Sequence, residues 1–119
     1  MIITGKTLGP ETDFEYTRVE VLRVIDGDTV ELKIDFGFCI WHTIRCRLYG
    51  INAFELPTPE GLEAAQFLSL SLTLGKITAK SFKNDKKDKY GRYLIELFKN
   101  GKSVNQQMVS SGYAIPYKA

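Results

Sequence analysis

Along residues 16–25, Val19 and Val21 alternate with Arg18 and Glu20 before the segment turns more apolar toward Ile25. A period of two sends successive side chains to opposite faces, so this segment reads as a strand. Asp26, Gly27 and Asp28 follow as a turn signal. Beyond them Val30, Leu32 and Ile34 alternate with Thr29, Glu31 and Lys33, which predicts a half-buried strand. The two strands therefore flank a tight Asp-Gly turn. Residues 35–43 read as a loop. Residues 44–49 read as a third strand, with Arg45 and Arg47 on one face and Cys46 and Leu48 on the other.

The period then changes. Thr58 and Pro59 suit a helix start, Thr as the cap and Pro in the first turn. Ala64, Phe67, Leu68, Ser71 and Leu72 follow at helical spacing, and Gly75 is a plausible stop. Residues 77–82 read as strand, 84–90 as a charged connection, and 91–98 as strand before a second turn at Asn100-Gly101. Ser103 caps a short helix over 104–111, closed by Gly112. Five short strands and two helices predict a mainly β, α+β protein, a five-stranded OB-type barrel with the helices packed on it.

Composition narrows the class. At 119 residues the chain predicts one domain, 1–119, able to bury a core without disulfides. Its 44% hydrophobic and 25% charged residues are ordinary for a globular protein. No apolar run approaches the roughly 20 residues of a membrane span, and no membrane partner is expected. The first sixteen residues hold no apolar signal-peptide core, so a cytoplasmic location is the default expectation. The two cysteines, Cys39 and Cys46, are too few for a disulfide framework or a zinc cage. Cys46 faces away from Arg47, which suits a buried free thiol, although a Cys39–Cys46 bridge stays open. The net charge of +2 divides unevenly. Residues 1–59 carry six Lys/Arg against nine Asp/Glu, and residues 60–119 carry ten against five. The acidic half suits a cation and the basic half a polyanion.

Four segments line up in order: 24–30 (VIDGDTV), 47–55 (RLYGINAFE), 88–92 (DKYGR) and 100–105 (NGKSVN). Together they resemble the staphylococcal nuclease (thermonuclease) family over about residues 18–117. The resemblance implies a metal-dependent phosphodiesterase acting on DNA or RNA with low sequence specificity and leaving 3′-phosphate ends. It implies Ca2+ as cofactor, with Mg2+ or Mn2+ as substitutes, and single-stranded nucleic acid as the preferred partner; no oligomer seam is visible in the sequence, so a monomer is the default expectation. Asp28 matches the family's metal-binding carboxylate, and Asp26 an acidic position acting on the metal through water. Arg47 and Arg92 match the two catalytic arginines, whose forks can clamp a phosphate. Glu55 matches the carboxylate that positions or deprotonates the attacking water. Lys89 and Tyr90 match residue types near the bound nucleotide, and Tyr117 falls where an aromatic residue stacks on a base.

The chain departs from the family pattern where the motif usually reads Asp-x-Pro-Glu. Here it reads Asn52-Ala53-Phe54-Glu55. An amide oxygen still ligates Ca2+, but one negative charge is lost. Ala53 stands where the family offers a main-chain carbonyl to the metal. Phe54 removes a backbone restraint just before Glu55. The loop at 35–43 is longer than in the type protein and carries Phe36, Phe38, Trp41 and His42, which are expected to pack over one end of the barrel. Only seven residues follow Gly112, so the family's C-terminal helix is expected to be absent or reduced. These departures keep a second reading open, a non-catalytic OB module that binds single-stranded nucleic acid. A third is a protein-interaction domain using the aromatic loop.

Overall fold

The computed structural model describes residues 14–82 and 92–117. Alternation decides the central hairpin, β2 (Val19–Asp26) and β3 (Thr29–Asp35). Val30, Leu32 and Ile34 are all at most 1% exposed, while Glu31 and Lys33 face outward. β3 pairs next with β4 (Trp41–Leu48), in register from Thr29 opposite Arg47 to Asp35 opposite Trp41. The expected strand over 16–25 is in fact two. β1 (Phe14–Tyr16) leaves the hairpin and pairs with β6 (Ile77–Ser81). β2 carries register shifts between Val21 and Arg23 and between Val24 and Asp26, which add twist as the strand reaches the turn.

The main sheet runs β1-β6-β7-β4-β3-β2, with β7 (Tyr93–Lys99) parallel to β4 and β8 (Lys102–Ser103) added to β7. A second, two-stranded sheet joins β5 (Ile51–Ala53) to β9 (Ala114–Pro116). The mainly β, OB-type α+β architecture holds, but the strand count and the closure do not. Nine strands are present among the described residues, and β1 and β2 are not paired, so the sheet stays open. Four of the nine have two or three residues, too few to show alternation. Beyond Gly112 the described chain forms β9 rather than helix.

The helices start where their caps stand. α1 (Pro59–Ser71) begins after Thr58, whose hydroxyl accepts from Gly61 N at 3.0 Å. It buries Gly61, Ala64, Leu68 and Ser71 against the sheet. α2 (Val104–Ser110) begins after Ser103, whose hydroxyl accepts from Gln106 N at 3.2 Å. Asn105 is buried because its amide completes main-chain bonding at the sheet. It accepts from Leu97 N at 3.1 Å and donates to Tyr49 O at 2.9 Å and Ile95 O at 3.1 Å.

The long β3–β4 connection only partly follows expectation. Phe36 lies 5.6 Å from the Tyr16 ring and 5.7 Å from the His42 ring. All three line an apolar cavity of about 230 Å3 with Ile34, Ile44 and Ile95. Phe38 does not pack there; it is 96% exposed. Trp41 belongs to β4, which begins three residues before the expected strand. Both cysteines are free, Cys39 exposed and Cys46 buried, and burial pushes the Cys46 thiol up to about 12.

Two glycines let the site-bearing segments approach. A Cβ on Gly27 would lie 2.7 Å from the Ala53 Cβ and 2.8 Å from the Ala64 Cβ, so the hairpin turn, β5 and α1 meet there only without a side chain. A Cβ on Gly61 would overlap the Glu55 carbonyl. The first turn of α1 therefore fixes the backbone at Glu55. Gly61→Ala is expected to destabilise the fold by about 1–3 kcal/mol, as overpacking does. Denaturant unfolding measures this, and an unchanged midpoint would show that the Glu55 segment yields freely.

Candidate active site

Asp28 sits at the end of the Asp26-Gly27-Asp28 turn, where β2 hands over to β3. The turn is held locally by Asp28 N donating to Asp26 Oδ1 at 3.0 Å. It is held across the sheet by Leu48 N donating to Asp28 O at 2.7 Å. This places the Asp28 carboxylate inside the molecule, 8% exposed as a residue. Its oxygens are satisfied from three strands. Thr29 Oγ1 donates to Oδ1 at 3.1 Å, Ala53 N to Oδ2 at 2.9 Å, and Arg47 Nη2 to Oδ2 at 3.3 Å.

Arg47 is equally buried, at 8%. The strand register puts it opposite Thr29, beside the turn. Its Nη2 also donates to Asn52 Oδ1 at 3.0 Å, so one nitrogen bridges Asp28 and Asn52. The Tyr117 ring lies over the guanidinium, 5.2 Å from Cζ, and Tyr117 N donates to Gly50 O at 2.8 Å. Arg92 approaches from just before β7, and its Nη1 donates to Thr29 Oγ1 at 3.1 Å. Thr29 thus connects the two arginines through Asp28. Sequence alternation sets Thr29 on the polar face with Glu31 and Lys33, whereas it is 1% exposed; the visible clue to its role is its place directly after Asp28.

The remaining expected residues fall in three groups. Asp26, Asn52 and Ala53 join the cluster; Ala53 contributes its amide N–H to Asp28. Glu55 follows β5 and is exposed, and its main-chain carbonyl accepts from Thr58 N at 3.2 Å. The restraint that Pro would have given before Glu55 comes instead from this turn and from the α1 cap. Lys89 and Tyr90 lie outside the described residues, as does the basic stretch at Lys83, Lys86 and Lys87.

Burial raises the Asp28 carboxyl to about 6, helped by the hydrogen bond with Asp26 and by its like charge; the Ala53 amide and Arg47 pull the other way. The donors here are the Asp26 and Asp28 carboxylates and the Asn52 amide oxygen, an all-oxygen set that fits a hard cation. Among the described residues no cluster of three or more His, Cys, Asp or Glu exists, so the cation would lean on amide and main-chain oxygens or water. A buried carboxylate that one arginine does not bring to its ordinary pKa is where added positive charge helps most.

The raised value has a sign. Between the ordinary 3.8 and about 6 the folded state holds more protons at Asp28 than the unfolded state does. In the presence of chelator, this group's contribution therefore favours folding at pH 4 and is lost as pH rises through about 6, at most about 3 kcal/mol for a shift of this size. Urea unfolding of the protein and of Asp28→Asn across pH 4–8 isolates this component as the difference between the two curves. Curves that stay parallel would exclude a raised Asp28.

The sequence model described as Staphylococcal nuclease homologue matches residues 45–119. An uncharacterised protein of Bacillus anthracis is 32% identical over 85% of this chain and 48% of its own length. Endonuclease YhcR of Bacillus subtilis is 34% identical over 91% of this chain but only 9% of its own length. SPbeta prophage-derived endonuclease YokF of Bacillus subtilis is 29% identical over 84% of this chain and 34% of its own length. The chain thus spans less than half the length of each of these relatives. With Asp28, Arg47 and Arg92 gathered on one hairpin and its neighbouring strands, the chain belongs to the staphylococcal nuclease family.

Proposed function

We propose that this chain is a metal-dependent nuclease that hydrolyses phosphodiester bonds in DNA or RNA with low sequence preference. The observation that carries the reading is the chain of contacts Arg92–Thr29–Asp28–Arg47, in which Arg47 meets the Asp28 carboxylate directly and Arg92 is linked to it through the Thr29 hydroxyl. Two of the relatives are named endonucleases. Two forked cations on a scaffold of strands suit a phosphate whose oxygens gain charge during attack.

Arg47 and Arg92 bind the phosphoryl oxygens, and the arginine with the better fit to the five-coordinate phosphorus supplies the larger rate effect. Glu55, exposed at the rim, orients the attacking water and accepts its proton. The water oxygen bonds to phosphorus as the bond to the 5′ oxygen breaks, leaving a 3′-phosphate, and the departing 5′ oxygen takes a proton from solvent water to become a hydroxyl. Asp28, Asp26 and Asn52 are the residues that would hold Ca2+, or Mg2+ or Mn2+ in its place. When bound, the cation supplies charge neutralisation and orientation of the phosphate. The Arg47 nitrogen that bridges Asp28 and Asn52 uses the same oxygens that would hold the cation, so a bound cation would compete with Arg47 for them. The Tyr117 ring, 5.2 Å from the Arg47 Cζ, packs over the guanidinium plane.

The same bridge favours the second reading, an OB-type module that binds single-stranded nucleic acid without cutting it. With both oxygens engaged by Arg47 and Asn52 in the Asp position, a cation would be held weakly. The expected result is cleavage of single-stranded DNA with Ca2+, abolished by chelator and reduced about 100-fold or more in Glu55→Gln and Arg92→Ala. Salt-sensitive binding without cleavage under Ca2+, Mg2+ or Mn2+ would leave only the second reading. Asn52→Asp restores the missing charge and is expected to tighten Ca2+ binding about tenfold, read by calorimetry on the intact protein. Unchanged affinity would place Asn52 outside the metal's reach.

A further inference from the structure

Residues 64–84 and 97–119 contain no Asp or Glu. The fold brings the start of β6 and the β7–β8 hairpin, one from each stretch, to the same end of the main sheet. Asn100 and Gly101 form the two-residue hairpin turn, with the positive φ of 51° and 82° that such a turn needs. The register sets Lys99 directly opposite Lys102. Lys76 is tied to the same turn. Its N–H donates to Asn100 Oδ1 at 2.9 Å, and Asn100 N donates to Lys76 O at 2.9 Å. Among the described residues none of these three lysines is ion-paired. Like charges directly opposite one another destabilise a strand pair, so the hairpin carries an uncompensated repulsion. The nearest carboxylate along the chain, Glu96, accepts from Ser103 Oγ and stands opposite Lys80 on β6. That fourth lysine balances it, and the positive excess of the other three remains.

An open groove of about 740 Å3 lies between this hairpin and α2. Lys99, Asn100 and Lys102 line it from the hairpin, and Gln106 and Gln107 from the helix. Among the described residues its lining holds no acidic and no apolar side chain. Lysines attract phosphates, and amides can donate to or accept from sugar and base edges. We infer that this groove is a second contact for nucleic acid, holding backbone phosphates of the same single strand whose scissile bond lies at the arginine cluster. The inference rests on the nuclease reading and adds to it a subsite remote from the chemistry. Arg92 and Lys99 stand at the two ends of β7, seven residues apart, or about 23 Å. A strand of the roughly 4–16 nucleotides that one OB-type domain covers spans that distance. A phosphate between Lys99 and Lys102 turns their repulsion into attraction for the ligand. A bilayer suits the groove less, because no side chain lining it can enter an acyl layer.

The experiment compares the full chain with Lys76→Gln/Lys99→Gln/Lys102→Gln. Binding of a labelled single strand of about 20 nucleotides is read by fluorescence anisotropy across a salt series, with chelator present so that nothing is cut. Three lost phosphate contacts are expected to lower the slope of log K against log salt by about 2, at ~0.7 per contact on a single strand, and to weaken binding about tenfold or more at low salt. Cleavage of a dinucleotide with Ca2+, too short to reach the groove, is expected to be unchanged. Thermal unfolding is expected at the same or a higher temperature, because the substitutions remove the Lys99–Lys102 repulsion. Unchanged affinity and slope overturn the groove and leave the nuclease reading standing, since dinucleotide cleavage tests that reading separately. Equal losses on the dinucleotide and the long strand also overturn it, because the lysines then act at the reacting phosphate. Polyglutamate that displaces the long strand as well as unlabelled strand does, at equal charge, overturns it as a nucleic-acid contact and assigns the groove to an acidic protein. Absence of both binding and dinucleotide cleavage in the unsubstituted protein overturns the nuclease reading and the groove together.

Discussion

The buried pair of Asp28 and Arg47 is the interaction on which the rest of the architecture turns. A carboxylate and a guanidinium withdrawn from water hold each other, and losing one partner of such a pair leaves an uncompensated charge at about 3–5 kcal/mol. Around this pair the structure supplies neutral donors, the Ala53 amide from β5 and the Thr29 hydroxyl from β3. Main-chain bonding from Leu48 N to Asp28 O fixes the turn to β4. Three strands and the turn therefore converge on one acidic side chain, and Arg92 joins through Thr29. The pair links fold to function, because the groups that stabilise the turn are the groups that would meet metal and phosphate.

The second organising constraint is close approach. Gly27 lets the turn touch Ala53 and Ala64, and Gly61 lets the first turn of α1 lie against Glu55. Thr58 caps α1 while its own amide N–H is bonded to the Glu55 carbonyl. The carboxylate proposed to handle water thus stands on a backbone held by a helix terminus, while the residue itself is exposed. A rigid main chain under an exposed side chain suits a group that must meet a solvent molecule.

Much of this was legible in the sequence because the signals were local and repeated. Val30, Leu32 and Ile34 showed the inner face of β3, and Thr58 and Ser103 marked both helix starts. The candidate residues Asp26, Asp28, Arg47, Asn52 and Ala53 do meet, since one hairpin and its neighbouring strands carry them. What the sequence hid was relational. The pairing of β5 with β9 rests on three residues from each end of a long separation, beneath any periodic signal. Thr29 gained its place only from the register opposite Arg47. Phe38 looked like packing because its type is apolar, but the left-handed turn around it carries it outward.

The parallel pairing of β4 with β7 sets Arg47 opposite Leu94, two residues beyond Arg92. Parallel strands need a crossover, and a crossover tolerates almost any length. The offset between the two arginine backbones is therefore set where β4 and β7 pair, one strand spacing of about 4.8 Å sideways and two residues along, and not by the chain that runs between them. Length changes in the intervening chain can reshape its surroundings while the two arginine-bearing backbones keep that offset.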